Sequence, residues 1–379
     1  MKNLEMTKYY SIVFWNQLIR NFVFLFFPLF FLDIGLNGFE QGLILGIYTI
    51  TGLLFSFHLG IKTDQMDQRV LLVIGIILFL VFCIGLVIFR NVWIIGLLFF
   101  LGGLSNIILV RATDTLVFKA TDKKSEGREM GIYSVMKVFP FIIGIIIGAY
   151  IITRFGFNYI FVLSALLFLL LFFPIISMKK TKLFNFPVTH YLNDLKNKEV
   201  LYFCIVIFIF GLHWGAEQTS YSPFLKLNLG LNMIQSSYYM AGVIVALLIT
   251  AYITGILIDK GASVLKLISI SILLSGVGGV LFAITNNVLL SFLMRVVHEI
   301  GDGIFTVILS IGILRLFDKK RIGGNAGFIM VIVVLSAFTG SLIFGPIGFN
   351  YGYHLPHIIG GMLSVIAFFM IIFFRKIKD

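Results

Sequence analysis

Charge is what this sequence has least of. Lys, Arg, Asp and Glu make up 12% of its 379 residues, against 59% hydrophobic and 16% aromatic, and the mean hydropathy is +1.05. So few polar side chains cannot cover a water-soluble globule of this length, so the soluble enzyme and binding-module classes fall away and an integral membrane protein remains. Cysteine is nearly absent: Cys83 and Cys204 each lie inside an apolar run, where packing roles are expected. They supply neither a disulfide framework nor a metal-ligand cluster, and no metal is expected. The sequence also lacks a glycine-rich phosphate loop ending in Lys-Ser/Thr, so ATP is not the evident energy source and no cofactor is expected. No nucleophile–base pair stands out, and no enzyme activity is expected. The first apolar run, to about Leu32, is too long for a signal-peptide core and has no small-residue cleavage site after it. It is expected to stay as a membrane span.

Acidic residues are scarcer than basic ones, 17 against 29, for a net charge of +12. The distribution of the basic residues argues against nucleic acid. They crowd every second connection: Lys62 and Arg69; Lys119, Lys123, Lys124 and Arg128; Lys179 to Lys198; Lys260 and Lys266; Arg315 and Lys319 to Arg321; and the tail from Arg375. The alternate connections hold only Arg90, Arg154 and Lys226. This asymmetry places both termini in the cytoplasm of a multi-pass protein of the cell membrane.

Apolar runs near residues 9–32, 40–61, 70–89, 93–118, 130–153, 157–177, 201–225, 233–257, 264–284, 288–316, 325–347 and 352–374 give twelve expected helical spans. The polar, basic stretch 179–200, with Pro187 in it, is the one long connection. It divides a bundle at 1–178 from a second at 201–379, with one surface helix expected within it. The two halves repeat. An offset of 195 carries Gly60 to Gly255, Asp64 to Asp259, Pro28 to Pro223, Gly35 to Gly230 and Leu36 to Leu231. An offset of 196 carries Asp122 to Asp318, Gly131 to Gly327, Gly144 to Gly340 and Gly156 to Gly352. One fold unit is thus written twice in the same orientation, the signature of a parallel repeat.

Between spans two and three stands Gly60-Ile-Lys-Thr-Asp64-Gln-Met-Asp67-Gln-Arg69, and between spans eight and nine Gly255-Ile-Leu-Ile-Asp259-Lys-Gly261. With the six-plus-six division and the central basic loop, these resemble the loop motif of the major facilitator superfamily, and the resemblance covers essentially the whole chain. It implies an all-α membrane protein of two six-helix bundles. It also implies that Asp64 caps the end of span two and, with Arg69, helps lock the outward-facing state, Asp259 being the weaker copy. Asp67 replaces the family's usual glycine and Gln68 its usual base. The family's antiporter signature is not cleanly present: Pro140, Gly144 and Gly148 stand at four-residue spacing, which also suits close helix packing.

Ionisable groups inside a hydrocarbon layer are costly unless they face a cavity or a partner. Here they concentrate in four spans: Asn16, Gln17, Arg20 and Asn21 in the first; Arg111 and Asp114 in the fourth; His213, Trp214, Glu217 and Gln218 in the seventh; and Arg295, His298, Glu299 and Asp302 in the tenth. Lys137 in the fifth is the other strongly ionic one. In the resembled fold, spans one, four, seven and ten line the central cavity. Arg295, His298, Glu299 and Asp302 share one helix face by their spacing. Asp302, Glu299, Glu217 and His298 are the candidate proton-coupling groups. Asn16, Arg20, Arg111, Asp114, Lys137, His213, Trp214, Gln218 and Arg295 are candidate cavity residues, with a structural ion pair as the alternative for Arg111 and Asp114. Trp15, Trp214, Tyr221 and Tyr133 would suit an amphipathic or aromatic substrate, or simply pack. His354 and His357 are expected near the outer membrane interface.

The reading is a monomeric secondary transporter of a small organic solute, working by alternating access in a lipid bilayer and driven by protons. Efflux of amphipathic, drug-like compounds stands first, and uptake of a polar or anionic metabolite second. A transporter-shaped sensor is a third reading, against which no appended soluble domain is evident.

Overall fold

In a computed structural model, residues 2–24, 26–36 and 38–378 are described; side chains from residue 373 on, including the basic tail, lie outside the description. The chain is 87% helical, with no strand among the described residues. Its helices are α1 (Lys2–Phe24), α2 (Phe27–Asp33), α3 (Gly38–Gln65), α4 (Gln68–Ile88), α5 (Val92–Ala120), α6 (Glu126–Phe155), α7 (Phe157–Leu170) and α8 (Phe172–Ile176). There follow α9 (Val188–Asp194), α10 (Lys198–Leu227), α11 (Met233–Asp259), α12 (Val264–Ala283), α13 (Val288–Leu316), α14 (Ile322–Tyr351) and α15 (His354–Lys378). A 3-10 turn, Lys319–Arg321, precedes α14.

Among the described residues, twelve segments are long and apolar enough to cross a membrane, the number expected. Their outward faces carry large apolar side chains, among them Leu97, Leu166 and Leu289, each more than half exposed, as a lipid-facing surface requires. The first span is α1 and α2 together, with Pro28 in the first turn of α2, where its missing N–H leaves no gap. Its counterpart Pro223 lies inside the unbroken α10.

The repeat is written into the backbone. Gly35 and Gly230 both take positive φ, 80° and 67°, directly after a span, and Leu36 and Leu231 donate back to carbonyls of the helix just ended. Gly156 and Gly352, at φ 82° and 108°, turn the fifth span into the sixth and the eleventh into the twelfth. A β-carbon is strained in that conformation, so glycine recurs at these equivalent turns.

The helices gather into two compact units. The first comprises 1–121, 136–194 and 317–331; the second comprises 122–135, 195–316 and 332–379. In the first, α5 packs against α3 and α4, and α4 against α7. In the second, α12 packs against α13 and α15, α11 against α13, and α10 against α15. The first turns of α6 count with the second unit, and those of α14 with the first. The sequence division at 179–200 has no counterpart for this exchange.

Candidate functional site

The two motif acids explain the exchanged helix ends. Asp64, at the end of α3 and fully buried, accepts from the backbone amides of Gly323 at 3.2 Å and Gly324 at 2.9 Å, the N-terminal end of α14. In the second unit Asp259 accepts from Gly127 at 2.8 Å and Arg128 at 2.9 Å, the N-terminal end of α6. The free amides and the positive end of the helix dipole favour an anion there. Glycine permits the approach: a β-carbon on Gly60 would meet Gly323 backbone, and one on Gly127 would meet Gly255 backbone.

The cation at Asp64 is Lys119, 3.0 Å away and from α5. Arg69, to which the resemblance gave a share in the lock, turns instead to Asp67 at 2.6 Å and to the Met178 carbonyl at 3.3 Å. The reason is local. Asp67 caps α4 with ordinary negative φ, accepting from the Arg69 amide, and that cap holds the guanidinium beside its own carboxylate. Hydrogen bonds from Arg69 lower the Asp67 pKa below the usual carboxylate value. In the second copy Gly261 makes the left-handed turn at φ 89° that Asp67 does not.

The 179–194 segment closes over this corner. Phe184 donates its amide to the Asp64 carbonyl at 2.9 Å, and Thr181 donates to Gln68. From α9, the fully buried Tyr191 reaches Asp64 at 3.3 Å, while Asp194 takes two hydrogen bonds from Arg321 and one from Asn325, all 2.8 Å. Burial, and then the neighbouring Asp64, push the Tyr191 phenol up. At Asp194 burial favours the neutral acid, but the bonds from Arg321 and Asn325 outweigh it and the carboxyl stays below its ordinary value.

The densest ionic cluster lies in the second unit, between α10 and α13. Arg295 touches Glu217 at 2.6 Å and Glu299 at 2.8 Å, with its guanidinium over the rings of Tyr221 and Phe282 at 4.4 and 5.1 Å. Asp302 receives the Trp214 indole N–H at 3.1 Å and lies 3.4 Å from His213 Nε2 and 3.8 Å from His298 Nε2. His298 Nε2 also meets Glu217 at 2.8 Å. Arg295, His298, Glu299, Asp302 and His213 are all buried. The spacing expectation holds: the α13 stripe faces one side, and α10 supplies Glu217, His213 and Trp214 to it.

Both imidazoles have their outer nitrogen tied to a backbone oxygen, His298 Nδ1 to Ser275 at 2.7 Å and His213 Nδ1 to Phe210. A carbonyl only accepts, so the proton there sits on Nδ1 and Nε2 faces the carboxylates. An acceptor facing an acceptor needs a proton between them. The charges say the same: the cluster holds three carboxylates and one guanidinium, and two protons are needed to make it neutral. The ligand atoms of His213, Glu217, His298 and Asp302 lie within 4.8 Å of one another, close enough to share one cation. The approach of α12 that brings Ser275 to His298 depends on Gly278, where a β-carbon would meet His298 backbone at 2.5 Å.

Other expected residues fall elsewhere. Gln218 is exposed and receives Ser341 at 3.3 Å, away from the cluster. In the first unit Arg111 pairs with Asp114 at 2.9 Å and Lys137 with the same carboxylate at 3.6 Å. Asn16 is buried, and Arg20 bonds Tyr48 while its Nε and Nη1 find no hydrogen-bond partner among the described residues. Trp15 is 44% exposed. His357, in the first turn of α15, is buried within the protein, packed on Phe282 at 4.9 Å, and borders the same small space of about 10 Å³ as Glu217, Arg295 and His298. Its sequence signal, a polar residue ahead of the Gly360-Gly361 pair, does not tell which neighbours it packs against.

The profile of the Major Facilitator Superfamily matches residues 10–263 and 203–379. The uncharacterized transporter BU466 of Buchnera aphidicola is 28% identical over 193 residues, 48% of this chain and 47% of that protein, so the match spans about half the length of that relative. The crystal structure of the E. coli fucose:proton symporter FucP superposes with a TM-score of 0.78 at 14% identity, covering 98% of each chain. The human organic anion transporter MFSD10 (TETRAN) gives 0.76 at 12%, covering 97% of this chain and 99% of the other.

Proposed function

The chain belongs to the Major Facilitator Superfamily, and from that premise and the α10–α13 cluster we propose that it is a secondary active transporter driven by protons, moving a small organic solute by alternating access. The observation that carries the coupling is the uneven pairing of three acids, Glu299 and Asp302 buried and Glu217 partly so. Glu217 and Glu299 share Arg295, whereas Asp302, among the described residues, meets two imidazoles and an indole N–H. An acid beside a guanidinium stays ionised; an acid facing bare imidazole nitrogens is free to share and pass on a proton. Asp302 is therefore the carrier, with His298 the link to Glu217.

The solute is amphipathic, and efflux is the favoured direction. Acids outnumber the guanidinium at this cluster, and Phe210, Phe305, Trp214 and Tyr221 sheathe it, which suits organic cations with apolar bodies. One observation favours a second reading. The unmatched Arg20 nitrogens offer an anion two donors, which would suit uptake of an anionic metabolite. In this reading the protein is a monomer of the cell membrane, and the basic connections support cytoplasmic termini.

Proteoliposomes with and without an imposed proton gradient test the proposal. Asp302→Asn is expected to abolish gradient-driven accumulation while keeping solute exchange, and Arg295→Ala to impair both. Full proton-driven transport by Asp302→Asn with loss in Glu217→Gln moves the coupling to α10, and retention in both variants removes the proton.

A further inference from the structure

Four lysines from three separated segments converge on one groove of the first unit: Lys119 at the end of α5, Lys182 from the 179–187 segment, and Lys319 and Lys320 of the 3-10 turn. The groove has a volume of about 310 Å³, with Tyr9 and Phe184 among its walls and no carboxylate in its lining. Lys119 and Lys182 place their ammonium groups 5.8 and 5.6 Å from the Phe184 ring centroid. Lys319 caps the end of α5 by donating to the Thr121 carbonyl. Asp64, beside Lys119, holds the α14 amides, and Asp318 caps the Lys320 amide at 2.9 Å. Membrane-facing charge bias spreads lysines through loops of one side, but it does not gather four of them around one groove whose lining holds no carboxylate.

We propose that this groove binds a phosphate-bearing anion and that the bound anion regulates the Asp64 clamp. Several ammonium point charges around one space suit a multiply charged phosphate better than a single carboxylate. The link to Asp64 is Lys119, which lines the groove and touches the Asp64 carboxylate at 3.0 Å. An anion in the groove competes with Asp64 for that ammonium and weakens its hold at the α14 end. The shared chemistry is the phosphate group, borne either by an anionic lipid or by a soluble ion.

The test uses the full chain and the double variant Lys182→Gln/Lys320→Gln, two exposed side chains outside the clamp. In lipid-free detergent, inorganic phosphate is titrated against chloride at matched ionic strength while the thermal midpoint is read. In nanodiscs of phosphatidylcholine with or without phosphatidylglycerol, retained phosphatidylglycerol is counted by native mass spectrometry. The double variant is expected to bind roughly thirtyfold more weakly, each lysine contributing on the scale of a basic residue at an anionic surface. A phosphate-specific midpoint rise in detergent, lost in the variant, identifies a soluble phosphate. Retention of phosphatidylglycerol alone, lost in the variant, identifies a headgroup. Equal behaviour of variant and parent in both arms overturns the site. Lys182→Arg/Lys320→Arg keeps the charge and restores binding, so misfolding of the first variant cannot imitate the result.

Discussion

At the scale of single residues, burial separates two acids that the repeat makes equivalent. Asp64 is fully buried, with two amides and Lys119 on it, whereas Asp259 is exposed and meets the two α6 amides. A charge-assisted hydrogen bond contributes about 1.5–3 kcal/mol, and removing one partner leaves the other uncompensated. Asp64→Asn is expected to leave membrane insertion intact and weaken the clamp by about 2 kcal/mol, enough to shift a two-state balance by more than tenfold. Transport slows accordingly, and the accessibility of a cysteine placed near Gly324 rises. Asp259→Asn does less, since water screens the exposed acid. Equal, negligible effects from both would show that the motif acids do not hold these helix ends.

At the scale of elements, α9 acts as a strap across the first unit. Its anchor is Asp194, whose paired oxygens take Arg321 and Asn325, while Arg321 also lies over the Phe186 ring at 5.1 Å. Because the folded carboxyl is held below its unfolded value of 3.8, it contributes stability that is present above that value. This contribution is lost as pH falls from there through the folded pKa. Hydrogen exchange of α9 amides should therefore quicken below pH 3.8 in the parent and be flatter in Asp194→Asn. At neutral pH the variant loses about 1 kcal/mol or less, as expected of a partly exposed pair. An unchanged pH profile in the variant would place the anchor elsewhere. In the same unit a β-carbon on Gly144 would meet Asn21, and one on Gly148 would meet the Phe22 carbonyl at 2.7 Å. The four-residue glycine spacing on α6 thus serves its packing on α1, whatever it says of transport direction.

At the scale of the whole molecule the checkable quantity is topology. Lys123, Lys180 and Lys319 lie in the basic connections, Lys226 in an alternate one. Introduced as single cysteines, only Lys226→Cys is expected to react with an impermeant thiol reagent added outside sealed cells. The native thiols of Cys83 and Cys204 are buried and should stay silent. Labelling of Lys180→Cys would overturn the orientation and with it the span count.

Composition, period and repeat determined the twelve spans, the two copies and the stripe of ionic residues on α13, because each is a one-dimensional pattern. A 3.6-residue helix fixes which side chains share a face without reference to any neighbour. Which partner meets that face is not in the pattern. Only the tertiary structure gave Lys119 rather than Arg69 to Asp64, since a capping aspartate at position 67 kept the guanidinium at home. Glu217 became a second partner of Arg295, and His357 a wall of the same cluster, through helix packing across more than 50 residues of chain. The exchange of the first turns of α6 and α14 between units was invisible for the same reason. A buried acid selects the amides that close packing brings to it, and packing depends on glycine seams distant in sequence.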